Sequence, residues 1–326
     1  MSSRYANLHS MEFRQLGRSG IEVSRICFGG WQVAGFSSTS DQNFSSTLHA
    51  ALDQGVNFID TSEIYGNGHS EALVAKFVSG IRKQVVIATK FSHRNATPQA
   101  VRTALESSLR RLRTDYIDLY LYHWPSKTVP LKDTLDAMQL LKKEGKIRAI
   151  GVSNWMEPEW EEYGGCEGID ALQPCYSLLW RTVEKSVLQL CRVNSLAVLC
   201  YSPLCQGILS GRYKQPSDIP HDPRQDNLFF KADEFPKVLE FLGELNEVAS
   251  QCGRTTVQVA LRWLLDTPGV TSVVVGSSTP QQILDNLGAL HWSLSSEQYK
   301  LLGALSLPFS NERAPHDTLF GWHSRS

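Results

Sequence analysis

The sequence predicts an α/β protein built as a closed (β/α)8 barrel, and three observations carry that prediction. Eight short apolar runs recur along the chain: ICFGGWQ at 26–32, FIDTS at 58–62, VVIATKF at 85–91, IDLYLYHW at 117–124, IRAIGVSN at 147–154, IDALQPCYS at 169–177, LAVLCYSPL at 196–204 and SVVVGSS at 272–278. Their hydrophobicity is continuous rather than alternating, as expected of strands buried on both faces of a parallel sheet. Helical patterns with their own start and stop signals separate the runs, and eight such units match a barrel's strand count. An open doubly wound sheet is the competing architecture. No GxGxxG follows the first run, which argues against it.

The elements follow in chain order. Residues 1–10, MSSRYANLHS, lack the apolar core of a secretory signal and read as a flexible tail. EFRQLGRSGIEVSRI then gives two short strand patterns around Gly17–Gly20, a hairpin suited to plug the bottom of the barrel. Thr97 before Pro98 opens the helix PQAVRTALESSLRRL with a cap and a first-turn proline. Gly145 ends the helix PLKDTLDAMQLLKKEG, where a C-terminal glycine belongs. Thr255 with Gln258, Thr279 with Gln282 and Ser295 with Gln298 have the spacing of capping boxes. Between Leu204 and Phe235 runs a polar, proline-containing stretch, long enough to be a lid or binding loop. The tail from Leu305, with Phe309, Phe320 and Trp322, is a second candidate cover for the barrel mouth. No linker divides the chain, so residues 11–326 are read as one domain.

Composition narrows the function. Lys and Arg number 32 against 33 Asp and Glu, a net charge of −1. A nucleic-acid partner is not expected, because phosphate contacts demand a basic surplus. No stretch approaches the roughly 18 apolar residues of a membrane span. The seven cysteines include no CxxC pair and no zinc-like spacing with histidine. Scattered thiols of this kind suit a reducing, cytoplasmic setting and no metal. Cys175, Cys200 and Cys205 cluster near two strand ends; packing thiols are the plain reading, and a redox role is the sharper one.

Barrel enzymes carry their chemistry at the C-terminal strand ends. Here those ends present Asp60, Lys90 and His123 on three successive strands, with Tyr65 in the loop after Asp60. Each alone is commonplace, but an ammonium at the end of an apolar strand needs a partner. A phenol titrates near about 10. A neighbouring ammonium is expected to lower that value, and a carboxylate to keep the ammonium charged. The imidazole can donate a hydrogen bond to an oxygen gaining negative charge. The set suits reduction of C=O with a proton delivered to oxygen.

These residues sit in motifs that resemble the aldo-keto reductase family: DTSEIYGNGHSE (60–71), IATKF (87–91), LRRLRTDYIDLYLYHWP (109–125), GKIRAIGVSN (145–154), YSPLCQGILSGRY (201–213) and VVVGSSTPQQILDNLGAL (273–290). The resemblance runs in order from residue 11 to about 305. The opening MEFRQLGRSGIEVSRICFGG looks most like the bacterial and potassium-channel β-subunit-like branch. The resemblance implies a catalytic tetrad of Asp60, Tyr65, Lys90 and His123, with Tyr65 as general acid. It implies NADPH as hydride source, NADH being possible but weaker, and a small carbonyl compound as substrate.

It also implies cofactor contacts. Gly30 and Trp31 follow the first strand. Ser153, Asn154 and Gln173 would grip the carboxamide, and Tyr201 would stack on the nicotinamide. Ser202, Leu204, Gln206, Gly207, Leu209 and Gly211 would run beneath the pyrophosphate. Gly276, Ser278, Gln282, Asp285 and Asn286 would hold the adenosine end, with 278, 282, 285 and 286 on one helical face. Many relatives place Lys or Arg at the positions of Gly276, Ser278 or Gln282 for the 2′-phosphate. This chain does not, and Arg212 and Lys214 in the long loop are the alternative candidates. Trp31, Phe91 and Trp124 would wall the substrate pocket beside Tyr65 and His123. Two other readings stand beside the reductase: an NADPH-binding sensor subunit with slow turnover, and a barrel enzyme using Lys90 as a Schiff-base amine. The oligomeric state is left open.

Overall fold

Side chains on successive residues of a strand point to opposite faces, and that alternation organises the whole molecule. The computed structural model describes residues 11–35, 39–311, 313–314 and 317–320. Trp322 lies outside the described residues. A hairpin of β1 (Phe13–Gln15) and β2 (Glu22–Ser24) comes first. The barrel units follow: β3 (Ile26–Gly29) and α1 (Asp41–Asp53), β4 (Phe58–Asp60) and α2 (His69–Val78), β5 (Val86–Phe91) and α3 (Pro98–Leu112), β6 (Ile117–Tyr122) and α4 (Leu131–Lys143). Next come β7 (Ile147–Ser153) and α5 (Glu157–Tyr163), β8 (Ala171–Gln173) and α6 (Val187–Val193), and β9 (Ala197–Cys200) with α7 (Phe235–Cys252) and α8 (Thr256–Asp266). β10 (Val270–Val275) and α9 (Pro280–Leu287) complete the circuit, and α10 (Ser296–Ser306) and α11 (Pro308–Asn311) pack outside it. Strands β3 to β10 pair in parallel and close, with β10 between β9 and β3. All eight apolar runs supply a barrel strand.

The inward side chains form their own core: Phe58, Val86, Ala88, Leu119, Leu121, Ala149, Ala171, Ala197 and Leu199. Large residues on β6 face alanines on β7, β8 and β9, so the interior is filled rather than hollow. Leu16, Ile21 and Val23 of the hairpin join this cluster and plug the end where the strands begin. The outward residues pack against the helices. Among them are Phe91, Tyr120 and Tyr122.

The helix signals act largely as their chemistry requires. Thr97 accepts from Ala100 N ahead of Pro98, and Gly145 follows α4 in the left-handed region at φ 76°. The capping boxes at Thr255 and Ser295 are complete. At Thr279 only half the box forms. Thr279 accepts from Gln282 N, but the Gln282 side chain accepts instead from Ser278 N at 2.7 Å.

The stretch after β9 is no free lid. It folds into short 3-10 turns, and Cys205, Ile208, Leu209, Tyr213, Leu228, Phe229 and Phe230 are buried. Asn227, itself buried, donates to Gln206 Oε1 at 3.2 Å and accepts from Phe229 N. Leu228 N donates to Leu319 O at 2.7 Å, tying the tail to this stretch. Phe309 does not close the mouth as expected; it sits in the core between Phe229 and Phe241, at ring separations of 5.9 and 5.7 Å. Phe320 is half-buried against the same core. Among the described residues, no helix is long and apolar enough to cross a membrane.

Candidate active site

The same alternation that fills the barrel also selects what reaches its mouth. Counting up from the inward residues Phe58, Ala88, Leu121, Gly151, Ala171 and Leu199, the next inward positions are Asp60, Lys90, His123, Ser153, Gln173 and Tyr201. Tyr65 arrives by a different route, in a turn of Gly66, Asn67 and Gly68 with φ of 59°, 52° and 88°. A Cβ on Gly68 would lie 2.3 Å from Arg111 Cδ, so the turn ahead of α2 requires glycine there.

Lys90 is fully buried, and its ammonium binds three oxygens. Nζ donates to Asp60 Oδ1 at 2.5 Å, to the Thr61 carbonyl at 2.9 Å and to Tyr65 OH at 3.4 Å. The other Asp60 oxygen accepts from Gln173 Nε2 at 2.7 Å. Burial pulls the Lys90 pKa down, but Asp60, Tyr65 and their hydrogen bonds together outweigh it and raise the value. The amine is therefore held as ammonium. Tyr65 corrects the expectation of a lowered phenol. Burial pushes it up, Lys90 pulls it back only in part, and Asp60 adds to the rise. His123 is driven well below the ordinary imidazole range by burial first, then by Lys90 and His93. Its ring is neutral, and Nδ1 lies 3.3 Å from Ser62 Oγ.

Three residues expected at the carboxamide form one connected set. Ser153 Oγ donates to the Gln173 carbonyl at 2.8 Å. Asn154, at φ 61°, donates to the His123 carbonyl and to Ser153 Oγ. Tyr201 OH donates to Asn154 Oδ1 at 2.6 Å. Trp31 and Trp124 are half-buried, Trp124 stacking on His123 at 6.2 Å. Beside them a small cavity is lined by Trp124, Asn154, Tyr201, Cys175, Asp317 and Thr318. The last two are mouth residues that no motif signalled; only the fold of the tail brings them there.

Phe91 does not belong to this mouth. It is fully buried, stacks on Tyr122 at 5.0 Å and lies tilted against Tyr120 at 5.1 Å. Lys90 faces inward, so its neighbour must face the helices. Gly30 donates to the Asp60 carbonyl, and a Cβ there would meet Ser70 Oγ at 2.6 Å, which makes it a packing position.

After β9 the backbone adopts left-handed geometry at Ser202, Cys205, Gln206, Gly207 and Gly211. Three of these are not glycine, a concentration of strain of the kind found at ligand clamps. Leu204 is half-buried, whereas Leu209 is fully buried and only supports the turn from beneath. The Arg212 guanidinium lies over the Tyr213 ring and donates to its hydroxyl. Its Nη2 stands 2.7 Å from where a Cβ on Gly207 would sit, so it overhangs the turn. Lys214 is exposed.

Gly276, Gln282 and Asp285 are exposed near the N-terminus of α9, with Ser278 half-buried. The expected single helical face does not form. Ser278 precedes the Thr279 cap, and Asn286 turns inward to donate to Ser277 Oγ at 3.0 Å. Burial raises the thiols of Cys175, Cys200 and Cys205, the last to about 12, which keeps them in the unreactive protonated form.

A parallel barrel whose mouth gathers carboxylate, phenol, ammonium and imidazole belongs to the class of carbonyl oxidoreductases. The comparisons name the family within that class. The model described as "Aldo/keto reductase family" matches residues 25–306, and the chain belongs to that family. An aldo-keto reductase of Bacillus subtilis is 35% identical over 309 residues, covering 89% of this chain and 92% of the relative. An NADH-specific methylglyoxal reductase of Escherichia coli is 32% identical, covering 88% and 96%. A crystal structure of an aldo-keto reductase from Klebsiella pneumoniae in complex with NADPH superposes with a TM-score of 0.76 at 30% identity, covering 93% and 97%. Family membership supports oxidoreduction of carbonyl compounds as the chemistry.

Proposed function

We propose that the chain reduces aldehydes and ketones to alcohols with NADPH as hydride source and Tyr65 as general acid. The observation that carries this reading is the fully buried ammonium of Lys90, held between Asp60 and Tyr65 OH. Asp60, anchored by Gln173, holds the ammonium charged and in place. Tyr65 gives its proton to the carbonyl oxygen, and the ammonium stabilises the phenolate left behind. His123, neutral, orients the carbonyl as negative charge develops on its oxygen. Burial raises the phenol pKa and so opposes proton release, whereas Lys90 pulls it back and favours the phenolate that transfer leaves behind. A charged Lys90 disfavours the Schiff-base alternative, which needs a free amine.

The bound nicotinamide would supply the hydride. The residues that fit it are Tyr201 beside the tetrad and Ser153, Asn154 and Gln173 around it. The strained turn at Ser202–Gly207 would receive the pyrophosphate, and the α9 N-terminus with Ser278 and Gln282 the adenosine end. Arg212, overhanging Gly207, is the candidate partner for a 2′-phosphate. Trp31 and Trp124 would wall the substrate.

Tyr65→Phe tests the assignment. The hydroxyl makes one long hydrogen bond, so stability should fall by less than about 1 kcal/mol. Reduction of 4-nitrobenzaldehyde should fall about 10²–10⁴-fold, the worth of a general acid. NADPH affinity, read by protein fluorescence quenching, should be unchanged. Wild-type turnover in this variant would refute Tyr65 as the acid. Tight NADPH binding without turnover in the unaltered protein would favour a sensor subunit instead.

A further inference from the structure

Ser62, two residues beyond Asp60, has no part in the tetrad, yet its hydroxyl is fully buried against His123. Three groups surround Oγ. The Ile64 N–H, 3.4 Å away, can only donate to it. The Lys90 carbonyl, at 3.3 Å, can only accept, and it already accepts from Glu63 N at 3.1 Å. His123 Nδ1, at 3.3 Å, can do either. The hydroxyl has one proton, and its destination decides where the neutral imidazole carries its own. If Ser62 donates to the Lys90 carbonyl, Nδ1–H points at Oγ and Nε2 is a bare lone pair. If Ser62 donates to Nδ1, the ring proton sits on Nε2. That nitrogen has no hydrogen-bond partner among the described residues.

We propose that Ser62 is a positioning residue that donates to His123 Nδ1 and thereby holds the imidazole as the Nε2–H tautomer, ready to donate to a substrate carbonyl. This role rests on the reductase reading, in which an Nε2 lone pair would repel the oxygen it is meant to steady. The Lys90 carbonyl already has a donor in Glu63, whereas Nδ1 as an acceptor has only Ser62. The arrangement uses the hydroxyl's full capacity: one hydrogen bond accepted from Ile64 and one donated to the ring.

The experiment reads the tautomer directly. Long-range ¹H–¹⁵N correlation spectra of uniformly ¹⁵N-labelled protein distinguish the two neutral forms, and His123→Gln identifies the His123 signals by their loss. The unaltered protein should show the Nε2–H pattern. Ser62→Ala should give a mixture or the Nδ1–H form, with kcat for 4-nitrobenzaldehyde lower by about three- to tenfold, the worth of one hydrogen bond. NADPH affinity should hold, and Ser62→Thr should restore both the tautomer and the rate. An Nδ1–H signal in the unaltered protein would overturn the proposal, as would an unchanged tautomer in Ser62→Ala. A protein that shows the Nε2–H form but reduces no aldehyde would sink the reductase reading and leave the tautomer assignment standing.

Discussion

The Lys90–Asp60 pair sets a quantitative test of how the barrel mouth is held together. Lys90→Met keeps an unbranched stem and removes the ammonium. Asp60, 3% exposed, is then a buried carboxylate with Gln173 as its remaining side-chain donor. Breaking a buried pair by deleting one partner costs about 3–5 kcal/mol, because the surviving charge is stranded. The retained Gln173 bond places the expected loss near the lower end, at about 3 kcal/mol. Asp60→Asn strands the ammonium in the same way, with the Thr61 carbonyl and Tyr65 left to solvate it. The double variant strands no charge, so its loss should fall well below the sum of the two. A double-mutant cycle should therefore report a coupling of about 3 kcal/mol or more.

The assay is urea unfolding followed by tryptophan fluorescence, with midpoint shifts converted through the slope. Because the Lys90 pKa is raised, the pair's contribution is present in full below the ordinary lysine value of about 10.4. It is lost only as pH rises through the raised value, so the cycle is run at pH 7.5. Single variants that add within about 0.5 kcal/mol would refute the buried-pair account.

Two further outcomes are expected. Phe91→Ala should cost about 3–5 kcal/mol of stability by emptying the stack with Tyr120 and Tyr122, while KM for aldehydes stays put; a changed KM at normal stability would return this ring to the pocket. Arg212→Ala should weaken NADPH by about tenfold and NADH much less, measured by fluorescence titration of each, if the guanidinium meets the 2′-phosphate. Equal losses would remove Arg212 from that role.

Much of this architecture was legible because it is written in periodicities. Continuous apolar runs located all eight barrel strands, and the Thr97–Pro98 and Ser295–Gln298 signals located helix starts. Strand parity also contained the information that Phe91 must face away from Lys90, but reading the aromatic as a neighbour of the mouth overlooked it. Other features depend on distances that no spacing encodes. The upward shift of Tyr65 comes from burial outweighing the pull of Lys90, and a motif reports only that both residues are present. Gln282 was expected to close the Thr279 box, yet Ser278 N offers its side chain an equally reachable donor one residue earlier. Asp317 and Thr318 reach the mouth through the tie between Leu319 and Leu228, a contact across some ninety residues. Ser62 carries no motif signal of its own, and its place beside His123 is set by the fold alone.

The hairpin plug and the tail lie at opposite ends of the barrel, and this matters for anyone attaching the protein to something else. Met11 packs beside Gly55 near the start of β4, on the plugged side, whereas Asp317 and Thr318 line the open side. Cargo carried on the plugged face, where Met11 lies, leaves the entrance clear. The same cargo carried near Asp317 and Thr318 sits on the rim of the entrance, where it competes for space with whatever enters. Orientation on an electrode, bead or scaffold is thus set by the face that is tethered, and attachment on the plugged face points the opening outward.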